Sequence, residues 1–230
     1  MKKLLVFALL SLCWSIEAQN VETRTVGDYD KVMISGWFDV ELVEGKEGKI
    51  KIQARPSVLK HIESEVINGK LKIEWTKRSN INPFYSFSSV KITIPVEEIE
   101  GVALGGSGSI TSKMPLKADS FSTSLAGSGK IDLEVHTKKL KSVVSGSGKT
   151  ILQGKSENYE AEVAGSGDIK AYELEADFVA ATISGSADIN VKVNEGIRAR
   201  ISGSGDVNYL GSPDKIDSKV SGSGSVSKKK

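Results

Sequence analysis

Apolar and polar residues alternate on both sides of a recurring Gly-Ser-Gly triplet, as in "YEAEVAGSGDIKAY" over 159–172 and "IRARISGSGDVNY" over 197–209. Two residues before the first glycine of each triplet stand Leu104, Leu125, Val144, Val163, Ile183, Ile201 and Val220. Four after it stand Ile110, Ile131, Thr150, Ile169, Ile189, Val207 and Val226. Six before, in the last six copies, come Phe121, Leu140, Tyr159, Val179, Ile197 and Ile216, and four before come the small residues Thr123, Ser142, Ala161, Ala181, Ala199 and Ser218. A period of two on either side of a glycine bend predicts strand, turn, strand.

The first glycines, Gly106, Gly127, Gly146, Gly165, Gly185, Gly203 and Gly222, are separated by 21, 19, 19, 20, 18 and 19 residues. The fifth copy reads Gly-Ser-Ala, ending on Ala187. So regular a spacing is not that of a flexible Gly/Ser linker. A unit of about 19 residues cannot bury its own apolar face, but copies stacked about 4.8 Å apart can. The predicted fold class is all-β, a parallel β-helix or β-solenoid with repeats of about 19 residues, right-handed by the usual preference of parallel crossovers. Each triplet is then a corner. Its glycine supplies a backbone conformation other residues avoid, and Ser107, Ser128, Ser147, Ser166, Ser186, Ser204 and Ser223 form a polar column.

The N-terminal third reads as a diverged start of the same stack. "ISGWFDVEL" at 34–42 aligns with "ISGSGDVNY" at 201–209, matching Ile34, Gly36, Asp39 and Val40 to Ile201, Gly203, Asp206 and Val207. "KIKIQA", "GKLKIEW" and "VKITIPV" are strand-like, while "SVLKHIESEV" between the first two carries a weak helical pattern. Residues 76–89, "TKRSNINPFYSFSS", lack periodicity and are expected to protrude as a loop. The expected organisation is a signal peptide over 1–18 and one solenoid domain over 19–230, diverged to residue 100 and regular over 101–227.

Composition narrows the setting. "MKKLLVFALLSLCWSIEAQN" has two lysines, an apolar run from Leu4 to Leu12 and a small residue, Ala18, before Gln19. That is the pattern of a cleaved secretory signal, too short to span a bilayer, which needs about 20 apolar residues. A lipid anchor on Cys13 fits less well, because Leu12 stands where such signals carry a small residue. Export to the periplasm, the outer-membrane surface or the medium follows. Cys13 is the only cysteine, so the mature chain is expected to lack disulfides and thiolate sites. Setting aside Lys2, Lys3 and Glu17 from the chain's 31 basic and 29 acidic residues leaves 29 and 28, with no basic stripe beyond the terminal lysines. A nucleic-acid partner is therefore not expected, nor is a transmembrane segment in the mature chain.

Candidate chemistry is sparse. Asp168, Asp188 and Asp206 directly follow three corners, and stacked carboxylates about 5 Å apart could share a hard cation. The equivalent positions elsewhere are Ser109, Lys130, Lys149 and Ser225, so a solvated strip is the favoured reading and no metal or cofactor is expected. His61 and His136 lack metal-ligand spacing, and seven near-identical serines argue for geometry rather than one activated nucleophile. No catalytic residue is assigned. The candidate partner surface is aromatic: Trp75, Phe84, Tyr85 and Phe87 gather around Pro83. Trp37 and Phe38 fit better as a cap on the core, which must be sealed at its end.

"SGWFDVELVEG", "NGKLKIEW" and the serial "GSGDI" and "GSGDV" units resemble the bacterial family of secreted proteins named putative auto-transporter adhesin, head GIN domain, across roughly residues 25–227. The resemblance implies an all-β solenoid exported from a Gram-negative cell, often of the Bacteroidetes group. Its name implies adhesion, and it brings no catalytic residues. The expected function is a non-catalytic, adhesin-like module binding an extracellular or envelope glycan or protein. The alternatives are a carbohydrate-active enzyme (a polysaccharide lyase or hydrolase) and a structural envelope protein that self-associates as a homo-oligomer.

Overall fold

The computed structural model describes residues 20–76 and 89–230; the leader and most of the 76–89 loop lie outside them. Over the repeats, the alternating runs are strands: β8 (Gly101–Gly106), β9 (Ser109–Ser112), β10 (Leu116–Gly127), β11 (Lys130–Gly146), β12 (Lys149–Gly165), β13 (Asp168–Gly185), β14 (Asp188–Gly203), β15 (Asp206–Leu210), β16 (Lys215–Gly222) and β17 (Ser225–Lys228). They follow β1 (Asn20–Gly27), β2 (Lys31–Gly36), β3 (Asp39–Glu44), β4 (Gly48–Ala54), α1 (Pro56–Leu59), β5 (Ile62–Ile67), β6 (Lys70–Trp75) and β7 (Lys91–Val96).

The repeats stack in parallel as a β-solenoid of about seven turns. Leu104, Leu125, Val144, Val163, Ile183, Ile201 and Val220 stand opposite one another in successive coils. So do Ile110, Ile131, Thr150, Ile169, Ile189, Val207 and Val226. Apart from the last coil, these columns are buried and form the core. The small column beside them is buried too from Thr123 through Ala199. Its two hydroxyls at the N-terminal end satisfy one another, Thr123 Oγ1 donating to Ser142 Oγ at 2.9 Å.

The corners show why the triplet recurs. The first glycine has φ between +116° and +133° in all seven copies, a region that L side chains avoid. From Ser128 on, the serine amide then donates to the carbonyl of the first glycine one coil earlier, as Ser166 N–H does to Gly146 O at 2.9 Å. A Cβ built on Gly165 would lie 2.6 Å from that same Gly146 oxygen. Hydrogen bonding and close approach therefore exclude a side chain together. The third position has ordinary φ, and Ala187 occupies it in one coil. The second corner has no glycine rule: the alternation slips a phase where two successive residues face solvent, as at Lys138–Lys139 and Glu157–Asn158. Unequal repeat lengths are absorbed away from the triplets, by register shifts such as that between Ala171 and Glu175.

The N-terminal third joins the stack but not in sequence order. Gly36 lies opposite Gly106, Ile34 opposite Leu104 and Val40 opposite Ile110, so β2 and β3 form the coil beneath β8 and β9. Between these coils the chain makes an excursion over residues 45–100. β6 pairs in parallel under β2 and β7 under β3. The remaining pairings, β1 with β4, β4 with β7 and β5 with β6, are antiparallel and cover this end. "SVLKHIESEV" is helical only over Pro56–Leu59; the rest is β5, whose Ile62 joins Val58 and Leu59 in the core. Arg24 fastens the cap, its Nη1 donating to Ile62 O at 2.6 Å and its Nη2 to Leu59 O at 2.9 Å.

Gly165→Ala is expected to destabilise the protein by about 1–3 kcal/mol from backbone strain alone, with the carbonyl clash added. Gly167→Ala meets the same close approach, its Cβ lying 2.5 Å from Gly148 O, but should cost less because its φ is ordinary and another coil accommodates Ala187. Chemical unfolding of the two variants side by side measures the difference.

Candidate functional surface

Stacking converts repeated positions into files running along the molecule. All seven corner serines are exposed and in single file. Next to them runs the column Gly105, Ala126, Ser145, Ala164, Ser184, Ser202 and Ser221. Nothing in these two files extends beyond a hydroxyl, so together they make a flat strip.

Charged side chains begin one column further out and pair across coils. Lys141 Nζ lies 3.2 Å from Glu160 and 2.9 Å from Glu162, and its hydrogen bond holds the Glu162 carboxyl below the usual range. Arg200 Nη2 lies 2.6 Å from Asp217, with Arg198 3.4 Å away, and Arg200 above all holds the Asp217 carboxyl low. These pairs are exposed, and each contributes little to stability.

Asp168, Asp188 and Asp206 also stand in file, on the other side of the corner. Their carboxylates are engaged along the stack. Asp188 Oδ1 accepts the Asp206 amide at 3.2 Å, and Asp206 Oδ1 accepts both the amide and the hydroxyl of Ser225 at 2.8 Å. Lys149 Nζ is 3.9 Å from Asp168. Among the described residues, no group of three or more His, Cys, Asp or Glu side chains is arranged to hold a metal ion. His136 Nε2 lies 3.1 Å from Glu134, and His61 is at the N-terminal cap, just after α1. Burial pushes the phenols of Tyr29 and Tyr159 far above their usual range; both belong to the core, and Tyr29 donates to Pro95 O at 2.5 Å.

Among the aromatic residues singled out in the sequence, Phe84, Tyr85 and Phe87 lie outside the described residues. Trp75 is placed, half-buried and packed against the core. It sits at the end of β6, where the other coils have their corner, with its ring centroid 4.8 Å from Phe38 and 4.6 Å from Trp37. Phe38 is fully buried. A Cβ on Gly36 would lie 2.6 Å from Trp75 Nε1, so the indole rests on the bare corner glycine. Both indole N–H groups are buried without an acceptor among the described residues.

One exposed ring escaped the sequence reading. Phe178 stands at the second corner, where the neighbouring coils carry Lys139, Asn158, Gly196 and Lys215. It is 42% exposed and leans over Gly196, whose missing Cβ would lie 3.1 Å from its ring. A groove of about 850 Å³ runs past it, lined by Tyr159, Val179, Ile197 and Ile216, with Arg198 and Asp217 at its edge. The signal was present in the sequence: an aromatic where two successive residues must face outward.

Gly36→Ala should displace the Trp75 indole, changing tryptophan emission and lowering the unfolding midpoint. Gly105→Ala is the control, because its Cβ would lie 3.8 Å from the nearest carbonyl, and neither reading should change.

Comparison with known proteins places these surfaces on a recurring frame. A putative adhesin from Bacteroides fragilis superposes with a TM-score of 0.82 at 21% identity, covering 93% of this chain and 98% of its own. A putative lipid binding protein from Parabacteroides distasonis gives 0.75 at 25% identity, covering 93% and 97%. A putative adhesin from Parabacteroides merdae gives 0.74 at 18%, covering 93% and 97%. No curated protein matches the chain. Among the described residues no helix is long and apolar enough to cross a membrane. The family model described as putative auto-transporter adhesin, head GIN domain, matches residues 28–213, and the chain belongs to that family.

Proposed function

We propose that the protein is an exported, non-catalytic adhesion module, with residues 19–230 as its mature solenoid domain, that binds an extended glycan or peptide of the cell envelope or its surroundings along the serine strip. The observation that carries this is the register: the corner serines and the Ala/Ser file beside them make a continuous track of short side chains along the stack. A linear polymer can lie on such a track without meeting a long side chain. Lys141, Glu162, Arg200 and Asp217 on the adjoining surface are engaged in cross-coil pairs rather than converging on a reacting atom, as hydrolysis of a glycan requires. Family membership supports the adhesive reading.

Purified protein should bind cell-surface or glycan arrays above an unrelated β-solenoid. Ser166→Arg and Ser184→Arg, both exposed, should reduce that binding about tenfold without moving the unfolding midpoint, whereas Lys139→Arg at the other corner should not. Polysaccharides incubated with the protein should release no new chain ends. Equal array binding by wild type and both serine variants would refute the placement of the site.

A second reading rests on the Phe178 groove. Its volume lies within the range of small-molecule pockets, about 300–1,000 Å³, and its lining is largely apolar. One relative at 25% identity carries the description putative lipid binding protein. On this reading the groove takes an acyl chain. A fluorescent fatty acid should then bind the wild type and lose most of its affinity for Phe178→Asp, with array binding along the serine strip unchanged.

A further inference from the structure

The solenoid is sealed at one end and open at the other. β16 pairs with β14, and no described residue covers its outer edge. Every residue of β16 is exposed. Ile216 and Val220 continue two core columns, yet they are 53% and 40% exposed, where Ile197 and Ile201 one coil earlier are 3% exposed. The backbone of this edge is unpaired too. Ser223 N–H donates back to Gly203 O at 2.9 Å. Amides alternate in direction along a strand, so those of Ser221, Lys219 and Asp217 point to β14, while those of Ile216, Ser218 and Val220 point outward.

We propose that this edge docks a second copy of the same chain, the two β16 strands pairing antiparallel about a two-fold axis at Ser218. Opposed residues in an antiparallel pair share a face. Centred on Ser218, Ile216 opposes Val220 of the second copy, core face to core face, and Asp217 opposes Lys219 on the outer face. Both contacts occur twice by symmetry. Backbone directions fit the same register. Ile216, Ser218 and Val220 have the free amides and form the hydrogen-bonded pairs, which leaves Asp217 and Lys219 as the closer, non-hydrogen-bonded pair suited to an ion pair.

The neighbouring registers that keep the faces matched do not fit. Centring on Asp217 sets Asp217 against itself and Lys215 against Lys219, and centring on Lys219 sets Lys219 against itself. Lys219 has no ion-pair partner among the described residues. A two-fold at Ile216 would also oppose Lys215 to Asp217, but it leaves Val220 without an apolar partner, so charge and apolar cover together select both the partner and the alignment. The closed two-fold contact covers both open edges at once, and growth stops at two copies.

The test is mass in solution, by light scattering and sedimentation over a concentration series, with circular dichroism confirming that each variant folds. Wild type should approach the mass of two chains and no more. Lys219→Asp alone and Asp217→Lys alone each place like charges opposite at both symmetry-related positions, and each should raise the dimer dissociation constant about tenfold or more. Mixing the two variants restores both opposite-charge pairs, so a one-to-one heterodimer should re-form. Val220→Glu, which sets a carboxylate into the joined core, should be monomeric by an independent route. A wild type that stays at the mass of one chain overturns the proposal. So does growth beyond two copies, which is the mark of head-to-tail stacking, a mixture that stays monomeric, or a Val220→Glu protein that remains dimeric.

Discussion

The hydrogen bond from a corner serine amide to the glycine carbonyl one coil earlier, made by every corner serine from Ser128 on, sets the terms for everything else. It carries the strand ladder around a turn without interruption, at 2.9–3.0 Å from Ser128 through Ser223. Because the accepting carbonyl sits where a Cβ of the next glycine would be, the bond and the absence of a side chain are one requirement. Coils held this tightly at one line cannot slide. Repeats that differ by a residue or two must then take up the difference elsewhere, as β13 and β14 do between Ala171 and Glu175. The flat serine file on the outside and the aligned apolar columns within both follow from that single constraint.

Much of this was legible because parallel stacking makes sequence period equal spatial column. Gly36 could be matched to the triplet glycines from its neighbours Ile34, Asp39 and Val40, and it stacks on Gly106. The excursion over 45–100 was less legible for a physical reason. A strand that buries one face alternates in the same way whether its partner runs parallel or antiparallel, so "KIKIQA" and "GKLKIEW" announce strands but not that β4 runs antiparallel while β6 joins the stack. Four residues of helix, Pro56–Leu59, three of them in "SVLKHIESEV", are too few to establish a period of 3.6.

The surface was legible in a different proportion. The repeat spacing puts Asp168, Asp188 and Asp206 in one file, but a sequence cannot show that the Asp188 and Asp206 oxygens accept the amides and hydroxyl of the next coil. In the sequence Trp75 stands near the aromatics that follow it, and in the structure its ring contacts are with Phe38 and Trp37, residues of the coil above. Those contacts are not legible, because the corner of one coil and the corner of the next are far apart in sequence at this end of the molecule. Phe178 is less legible because no residue type is required at the second corner, where its column holds Lys139, Asn158, Gly196 and Lys215.

The two ends of the stack state the energetic problem of any solenoid. Each coil is stabilised from both sides except the first and last, whose apolar columns and backbone groups face water. At the N-terminal end this chain spends the excursion over 45–100 on the problem, crossing the stack with antiparallel strands and fixing them with Arg24, whose guanidinium takes two carbonyls from the segment around α1 and β5. At the other end β16 runs with Ile216 and Val220 uncovered. The exterior between them carries exposed ion pairs that contribute little, so its residues can change at small cost to the fold while the corner glycines cannot. A frame constrained along one line and permissive over its faces is suited to presenting a surface, and the chemistry that distinguishes one such protein from another is then to be found in the outward columns.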